Sequence, residues 1–176
     1  RAETLNLRVD WIDVASHAGE METCMYAGAV KNDDGTTTSW LRMTQDERDA
    51  QSALAVKQDV KLLNEHVIRY TLEKTLEPIV KRRGLTPDRI DWFLPHYSSS
   101  YFRDRVKAGL ENVNFPIPQE RWFTNLTTRG NTGAASIYIM IDELVRSGRV
   151  ERGQTLLCWV PESGRFSAGF MHLTAV

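Results

Sequence analysis

One stretch decides the layer structure of this chain, and it reads Thr155-Leu156-Leu157-Cys158-Trp159-Val160. It is almost wholly apolar and lacks polar alternation, which is typical of a strand covered on both faces. Such a strand needs a layer of helices on each side. The sequence therefore predicts an α/β layer structure with a mostly parallel sheet, in which this strand is central.

Strand and helix patterns alternate around this central run. Apolar or alternating residues predict further strands at 5–14, 90–95, 121–124 and 166–176. Apolar residues at helical spacing predict helices at 45–83, 98–110 and 132–147. Gly84 and Gly148 lie where the first and last of these helices should end. Alternation of this kind supports the α/β assignment.

The first helix carries two further local signals, and a long irregular segment precedes it. Thr44 followed by Glu47 predicts a capping box, and Pro78 predicts a kink or the end of the regular part. Residues 15–44 are rich in Gly, Thr and Asp, and Asp33-Asp34-Gly35 predicts a short hairpin. A segment of this length is uncommon as a plain connecting loop, so we expect it to cover another part of the molecule.

Composition and charge argue against several classes of protein. The chain has 176 residues, 41% hydrophobic and 26% charged, which is typical of a globular protein with one sizeable core. A net charge of -1 offers no basic surface for nucleic acid. No apolar run approaches the roughly 20 residues of a membrane span, and the polar N-terminus does not resemble a signal peptide. Two cysteines form no disulfide framework, so we expect a cytoplasmic protein.

Two motifs carry the strongest chemical signal. Pro95-His96-Tyr97 follows the strand at 90–95, and Gly130-Asn131-Thr132-Gly133-Ala134-Ala135-Ser136 opens the last helix. Ligands of open α/β sheets bind at the carboxyl ends of strands. His96 and Asn131 can both donate hydrogen bonds to one carbonyl oxygen, which stabilises an enolate without a metal. The simpler alternatives are a strand-end histidine bonded to a loop, and Asn131 as a helix cap.

Other candidate groups have weaker claims. Gly164, between the last two strands, can present its backbone N–H to an oxyanion, although a plain hairpin is favoured for this loop alone. Cys158 lies in the apolar strand and behaves as a small hydrophobe. Cys24 has Glu20 and Glu22 near it, and their negative charge disfavours a reactive thiolate. No histidine pair has metal-ligand spacing with supporting carboxylates, so the sequence predicts no metal site.

Three motifs together resemble a known family. Residues 91–96, 129–136 and 148–154 are similar in order and spacing to the C-terminal half of β-ketoacyl-[acyl-carrier-protein] synthase III, a branch of the thiolase superfamily. The resemblance covers residues 45–176 well and 1–44 loosely. It implies a thiolase-like half with the order βαβαβαββ, a mixed five-stranded sheet and helices on both faces. Residues 45–176 are then the C-terminal domain, and 1–44 combine the end of the N-terminal half with a connecting and covering segment.

The resemblance also implies roles for three residues. The family uses a Cys, His, Asn triad; His96 and Asn131 match the last two members, and the Cys belongs to an N-terminal half absent from this chain. Gly164 aligns with a glycine whose amide joins the oxyanion hole. In the implied reaction the Cys takes an acyl group from acyl-CoA as a thioester. A malonyl thioester then loses CO2, and the resulting enolate attacks the acyl-Cys thioester. Thioesters of CoA and of acyl-carrier-protein phosphopantetheine are the implied substrates, and no cofactor is implied.

Positions that face the substrate depart from the family pattern. Ser99 stands where an Asn contacts the pantetheine arm, and Arg129 stands where a His usually precedes Gly130. We expect Ser99, Arg129 and Gly130 to contact the substrate or its pantetheine arm. Arg165 also stands where Gly is common. A specialised or secondary-metabolite member fits this drift better than a housekeeping starter enzyme of fatty acid synthesis.

The implied partners are the N-terminal half of the same enzyme, an acyl carrier protein, acyl-CoA and a second copy in a homodimer. Tyr101 replaces an arginine of the carrier-docking helix, and Arg103 and Arg105 are close enough to serve instead. Because the chain begins with Arg1 rather than Met, it is either trimmed or a fragment, and alone it should not catalyse acyl transfer.

Two alternatives stay open at this point. The first is a thiolase-fold acyltransferase that joins the acyl group to an oxygen or nitrogen acceptor, with His96 as general base. The changed Tyr97-Ser98-Ser99 stretch motivates it. The second is a non-catalytic thiolase-like partner subunit, which the missing Cys motivates.

Overall fold

The computed structural model describes residues 5–176, so residues 1–4 of the predicted segment 1–44 lie outside the described residues. The strands are β1 (Leu7–Ser16), β2 (Met25–Tyr26), β3 (Ala29–Lys31), β4 (Thr37–Ser39), β5 (Lys57–Gln58), β6 (Trp92–Pro95), β7 (Thr155–Glu162) and β8 (Ser167–Ala175). The α-helices are α1 (Gln45–Ala50), α2 (Val60–Ile68), α3 (Lys74–Arg83), α4 (Arg103–Asn112), α5 (Leu126–Arg129) and α6 (Ser136–Arg146). A π-helical turn, Arg69–Glu73, joins α2 to α3.

The main sheet holds β7 at its centre, in the strand order β1-β8-β7-β6. β7 pairs in parallel with β6 and antiparallel with β8, and β8 pairs antiparallel with the edge strand β1. The apolar run at 155–160 is therefore a central strand, as predicted. The expectation of a mostly parallel sheet is wrong, because a tight turn joins β7 to β8 and such a turn reverses the strand direction. The sheet is mixed, as the resemblance implied.

Alternate residues of β7 enter two separate cores, one on each face of the sheet. Leu157 and Trp159 lie on the face covered by α2, α3 and α4, in a core that includes Leu72, Leu76, Phe93, Val106, Leu110 and Phe170. Leu156 and Cys158 lie on the opposite face, in a core that includes Ile137, Met140 and Leu144 of α6. The predicted α/β class with helices on both faces is confirmed, because the two-residue period of a strand carries apolar side chains to both sides.

The predicted fifth strand, residues 121–124, is wrong in extent. Trp122 forms a single parallel bridge with Phe93 of β6, and the N–H of Phe123 donates one hydrogen bond to the Phe93 carbonyl at 2.9 Å. A 3₁₀ turn, Gln119–Arg121, precedes the bridge, and α5 begins shortly after it. The neighbouring turns leave room for one ladder position. The main sheet of residues 5–176 accordingly has four strands instead of five, with Trp122 beside β6.

The predicted helix over 45–83 is interrupted by an extended stretch. α1 begins with the predicted capping box between Thr44 and Glu47, which is confirmed. Ser52 then adopts a left-handed backbone with φ 47°, and Lys57–Gln58 forms β5 against β2. Asp59 caps a new helix by accepting a backbone N–H of its first turn at 3.0 Å. The continuous helix is wrong across residues 51–59 because β2 supplies sheet partners and Asp59 supplies a new start.

The π-helical turn between α2 and α3 is paired by side chains. Thr75 Oγ1 donates to the Tyr70 carbonyl at 2.9 Å. Trp159 Nε1, from the central strand, donates to the Thr71 carbonyl at 2.8 Å. Buried carbonyls need such partners, because an unpaired one costs free energy comparable to a lost hydrogen bond. The sheet therefore stabilises the irregular turn directly.

Pro78 lies inside α3 and does not end it, because the helix continues to Arg83. The irregular part of the helical segment is the π-helical turn, which lies N-terminal to Pro78. Gly84 caps the helix with φ 61°, the left-handed conformation expected at a C-cap, so that prediction is confirmed.

The irregular segment after β1 packs on the turn between β7 and β8. The predicted hairpin around Asp33-Asp34-Gly35 is confirmed as β3 and β4. Nearer β1, the N–H of His17 donates to the Phe166 carbonyl at 3.1 Å, and the N–H of Cys24 donates to the Gly164 carbonyl at 2.9 Å. The segment thus covers another part of the molecule, as predicted.

The division of the chain at residue 44 stays a prediction. β1 lies before this boundary and pairs with β8, which lies after it, from Leu7 opposite Ala175 to Ser16 opposite Ser167. Residues on both sides of position 44 therefore share one sheet.

Replacing Trp159 with Phe tests the bond between the sheet and the π-helical turn. The indole donor is lost and the Thr71 carbonyl stays buried without that partner, so we expect the free energy of unfolding to fall by about 2 kcal/mol. Urea unfolding followed by circular dichroism measures it. Trp40→Phe is the matched control, because Trp40 is 36% exposed, and it should change stability by less than about 0.5 kcal/mol. Equal effects of the two substitutions would contradict the assigned bond.

Candidate active site

One cavity, called the main cavity below, opens at the carboxyl ends of β6 and β7. Because these strands are parallel neighbours, residues that follow them reach the same edge of the sheet. The cavity has a volume of about 380 Å³. Its lining includes Met25, Gln58, Leu63, Val67, His96, Tyr97, Ser98, Phe102, Asn131, Trp159, Glu162 and Ser163. An apolar cavity with a few convergent polar groups is the usual form of a small-molecule site.

His96 is the first residue after β6, and its backbone continues the pairing with β7. Its N–H donates to the Trp159 carbonyl at 2.8 Å. The imidazole is half-buried in the cavity wall, and burial lowers the pKa of His96 below its ordinary value. The ring is therefore neutral at physiological pH, with one N–H donor and one acceptor nitrogen. A neutral ring can donate to a carbonyl oxygen without bringing a positive charge.

Asn131 reaches the same cavity from the loop before α6. Gly130 has φ 73°, a backbone that favours glycine, and it turns the chain out of α5. Asn131 Oδ1 accepts the Gly133 N–H at 3.0 Å, which assigns the oxygen of the side-chain amide. Nδ2 donates to no residue in the described range 5–176, so it is available to a ligand. The structure thus brings His96 and Asn131 together around one cavity, as the motifs predicted.

Gly164 is buried in the turn between β7 and β8, beside the cavity. Its backbone N–H donates to Glu162 Oε1, and the Arg165 N–H donates to Glu162 Oε2 at 3.1 Å. The amide expected to serve an oxyanion is therefore paired with a carboxylate of the same turn. Glu162 and Ser163 line the cavity, whereas Gly164 itself does not.

The residues predicted to contact the pantetheine arm lie away from the main cavity. Ser99 is exposed and caps a 3₁₀ turn, its Oγ accepting the Tyr101 N–H at 3.3 Å. Arg129 is exposed and pairs with Glu143 of α6. Gly130 borders a second, much smaller cavity of about 10 Å³ on another side of His96. Their predicted contacts with substrate stay predictions.

The two arginines predicted to dock a carrier protein differ in their surroundings. Arg103 is half-buried; its Nε donates to Gln119 Oε1 at 2.9 Å and its Nη1 contacts the Tyr97 hydroxyl at 3.4 Å. The guanidinium also lies 5.5 Å from the ring centre of Trp122. Arg103 therefore supports Tyr97, a buried wall residue of the cavity. Arg105 is exposed on α4, although it also bonds the Asn64 carbonyl at 2.9 Å.

Several cavity residues were not singled out from the sequence as site residues. Tyr97 and Ser98 directly follow His96, and Glu162 and Ser163 directly precede Gly164, so adjacency to the predicted residues was an available signal. Met25 and Gln58 reach the cavity through the pairing of β2 with β5. Nothing in the local sequence indicates that pairing.

Neither cysteine is an activated nucleophile. Burial, with a smaller contribution from Asp59, raises the pKa of Cys24 to about 11. Burial also raises the pKa of the Cys158 thiol strongly. Both side chains are buried, and neither lines the main cavity. These positions agree with the expectation that the described chain contains no catalytic thiol.

Two other features are absent from residues 5–176. No cluster of three or more His, Cys, Asp or Glu side chains there could hold a metal ion. No helix in this range is both long enough and apolar enough to cross a membrane.

Comparison with known proteins identifies the family. The model of the 3-oxoacyl-[acyl-carrier-protein] synthase III C-terminal family matches residues 80–173, which is more than half of the chain. This chain belongs to that family. It is 34% identical over 100 residues to the chloroplastic β-ketoacyl-[acyl-carrier-protein] synthase III of Arabidopsis thaliana, covering 55% of this chain and 24% of that protein. Against the synthase III of Microcystis aeruginosa, identity is 37% over 106 residues, covering 58% and 29%.

Solved structures show the same thiolase-like fold. A tetronic acid condensing enzyme matches 96% of this chain and 47% of its own, with a TM-score of 0.70 and 16% identity. The β-ketoacyl-[acyl-carrier-protein] synthase III of Thermus thermophilus matches 94% of this chain and 46% of its own, with a TM-score of 0.66 and 22% identity. The chain spans about half the length of these structures, and its matches cover less than a third of the curated relatives.

The lowered pKa of His96 makes a signed prediction about stability. An unfolded His titrates near pH 6.5, so below about that pH the unfolded state binds a proton that the folded state resists. The contribution of His96 to the free energy of unfolding is therefore intact above about pH 6.5. It is lost as the pH falls through the lowered pKa of His96 in the folded state. We expect the wild type to lose more stability than His96→Asn between about pH 7.5 and about pH 5.5 in urea unfolding. All other titrating groups are shared, so identical losses would contradict the burial assigned to His96.

Proposed function

We propose that this chain is the C-terminal part of a 3-oxoacyl-ACP synthase III-like condensing enzyme. The reaction is the decarboxylative Claisen condensation of an acyl thioester with a malonyl thioester. The observation that supports it best is the single cavity shared by His96 and Asn131 at the carboxyl edge of the sheet, in a member of this family. The nucleophilic Cys comes from a part of the enzyme outside this chain, so the chain alone is inactive.

Each of the two residues has one task in this proposal. The neutral His96 ring and Asn131 Nδ2 donate hydrogen bonds to the malonyl thioester carbonyl. Loss of CO2 leaves negative charge on that oxygen, and the two donors stabilise it as an enolate. The enolate carbon attacks the acyl-Cys thioester, the tetrahedral oxyanion collapses, and the Cys thiolate leaves. The products are a β-ketoacyl thioester and CO2, and no metal or cofactor is required.

The remaining partners also belong to the proposal. Acyl-CoA supplies the acyl group, an acyl carrier protein presents the malonyl group, and the enzyme is a homodimer.

Exposed apolar residues of β1 support the N-terminal half of the enzyme as a further partner. Ile12 and Val14 are 58% and 75% exposed. Trp11, next to Ile12 in the alternation of β1, packs on the face of the sheet that α3 covers. Ile12 and Val14 therefore lie on the opposite face, where α6 covers the other strands of the sheet and leaves these two residues exposed. The N-terminal half of the enzyme is the proposed cover for this face.

Neither alternative raised by the sequence is favoured. The matched relatives are β-ketoacyl synthases, which supports condensation over acyl transfer to an oxygen or nitrogen acceptor. The free Nδ2 of Asn131 beside His96 also suits an enolate, since a general base needs no second donor there. A non-catalytic subunit does not require either donor to face the cavity.

Separate assays of the two half-reactions test the proposal. We expect His96→Ala and Asn131→Ala each to lower CO2 release from malonyl thioester by on the order of 100- to 1000-fold in the whole enzyme. Transfer of the acyl group from labelled acetyl-CoA to the enzyme should change little, because neither residue acts on it. His66→Ala and Asn112→Ala are matched controls, since neither residue lines the cavity. Unchanged decarboxylation in both test variants would refute the assignment.

Arg105 provides a test of carrier docking. Its exposed guanidinium on α4 can bind the phosphate of a phosphopantetheine arm. We expect Arg105→Gln to weaken binding of malonyl-loaded carrier protein by about three- to tenfold at low salt, and by less in about 0.5 M salt. Surface plasmon resonance measures it, with Lys81→Gln on α3 as the control. Equal binding by both variants would remove Arg105 from the docking surface.

A further inference from the structure

Glu162 places a carboxylate on the backbone amide of Gly164, which the family resemblance assigns to the oxyanion hole. It is the last residue of β7, and it lines the cavity together with His96 and Asn131. Its two oxygens accept the N–H groups of Gly164 and Arg165, the latter at 3.1 Å. A Cβ added to Gly164 would lie 2.6 Å from Glu162 Oε1, so glycine allows the carboxylate to approach this closely.

The simplest account is that Glu162 only stabilises its own turn, and the structure argues against it. Hydrogen bonds from residues outside the turn already hold its backbone in place. The Gly164 carbonyl accepts the Cys24 N–H at 2.9 Å, and the Phe166 carbonyl accepts the His17 N–H at 3.1 Å. The Arg165 guanidinium also donates to the Ala18 carbonyl at 3.0 Å. The Glu162 side chain can therefore leave without releasing the turn.

Charge at the cavity makes Glu162 a strong competitor for that amide. Among the described residues that line the cavity, Glu162 is the one acidic side chain, and neither a lysine nor an arginine lines it. A carboxylate accepts a hydrogen bond more strongly than a neutral thioester carbonyl does. One N–H group cannot serve both acceptors at full strength, so a carbonyl reaches Gly164 only after the carboxylate has moved.

We propose that Glu162 is a positioning residue that occupies the Gly164 amide in the free protein and leaves it when a thioester carbonyl binds. This inference rests on the proposed function for the identity of the thioester. Glu162 thereby acts as an internal competitor that weakens the binding of ligands unable to displace it. The residues His96 and Asn131 keep their donors open, whereas the third donor is released only on binding.

Titration with acetyl-CoA tests this competition in the whole enzyme with wild-type Glu162, with Glu162→Gln and with Glu162→Ala, each with the nucleophilic Cys replaced by Ala so that no acyl group is transferred. Calorimetry measures the Kd, and the ¹⁵N–¹H signal of Gly164 reports the state of its amide. We expect both variants to bind acetyl-CoA about five- to tenfold more tightly than the wild type, because the charge-assisted bond is absent. In the wild type, binding should shift the Gly164 amide signal. Glu151→Gln, before the opposite end of β7, should bind like the wild type.

The outcomes separate this inference from the proposed function. Tighter binding together with lower thermal stability supports competition, since a purely structural role predicts lower stability and no gain in affinity. Equal affinity, or a Gly164 signal that does not move in the wild type, overturns the role of Glu162 and leaves thioester binding intact. Absence of acetyl-CoA binding in all four proteins overturns both proposals, because Glu162→Ala leaves the amide free. Thermal unfolding of each variant confirms that it is folded.

Discussion

The parallel pairing of β6 with β7 is the constraint on which the rest of the site depends. It carries His96, at the end of one strand, to the same edge as Glu162 and the following turn. The bond from the His96 N–H to the Trp159 carbonyl extends the ladder by one residue beyond β6. Burial of β7 on both faces holds this register, because a slip of one residue would exchange the side chains of the two cores.

Trp159 connects that pairing to the helical layer. Its carbonyl accepts from the His96 N–H, its indole N–H donates to the Thr71 carbonyl in the π-helical turn, and the residue lines the cavity. A π-helical turn weakens the regular bonding of a helix, and here two side-chain donors replace part of it. The irregular turn, the central strand and the position of His96 therefore depend on one another, and α2 keeps Leu63 and Val67 in the cavity wall.

A second constraint acts on the turn between β7 and β8. Backbone bonds from His17 and Cys24 hold this turn against the irregular segment after β1. Glu162 lies at the start of this turn, and its carboxylate accepts a hydrogen bond from the Gly164 amide. The site of the free protein thus has two open donors, on His96 and Asn131, and one donor that is already paired. This asymmetry distinguishes donors that wait for substrate from one that must be released.

The local signals of the sequence were sufficient wherever the deciding interaction lies within a few residues. The capping box at Thr44, the Gly84 C-cap and the hairpin at 33–35 were predicted for that reason. The central strand was predicted from its unbroken apolar run, and a shared cavity for His96 and Asn131 from the places of their motifs after a strand and before a helix. The helix over 45–83 and the strand over 121–124 were not, because β2 and β6 decide those segments from distant parts of the chain. The sequence alone determined the fold class and that His96 and Asn131 lie at the same cavity. Only the tertiary structure decided which donors are free, because a hydrogen-bond donor is open or paired according to the acceptors that folding brings to it, as Glu162 is brought to Gly164.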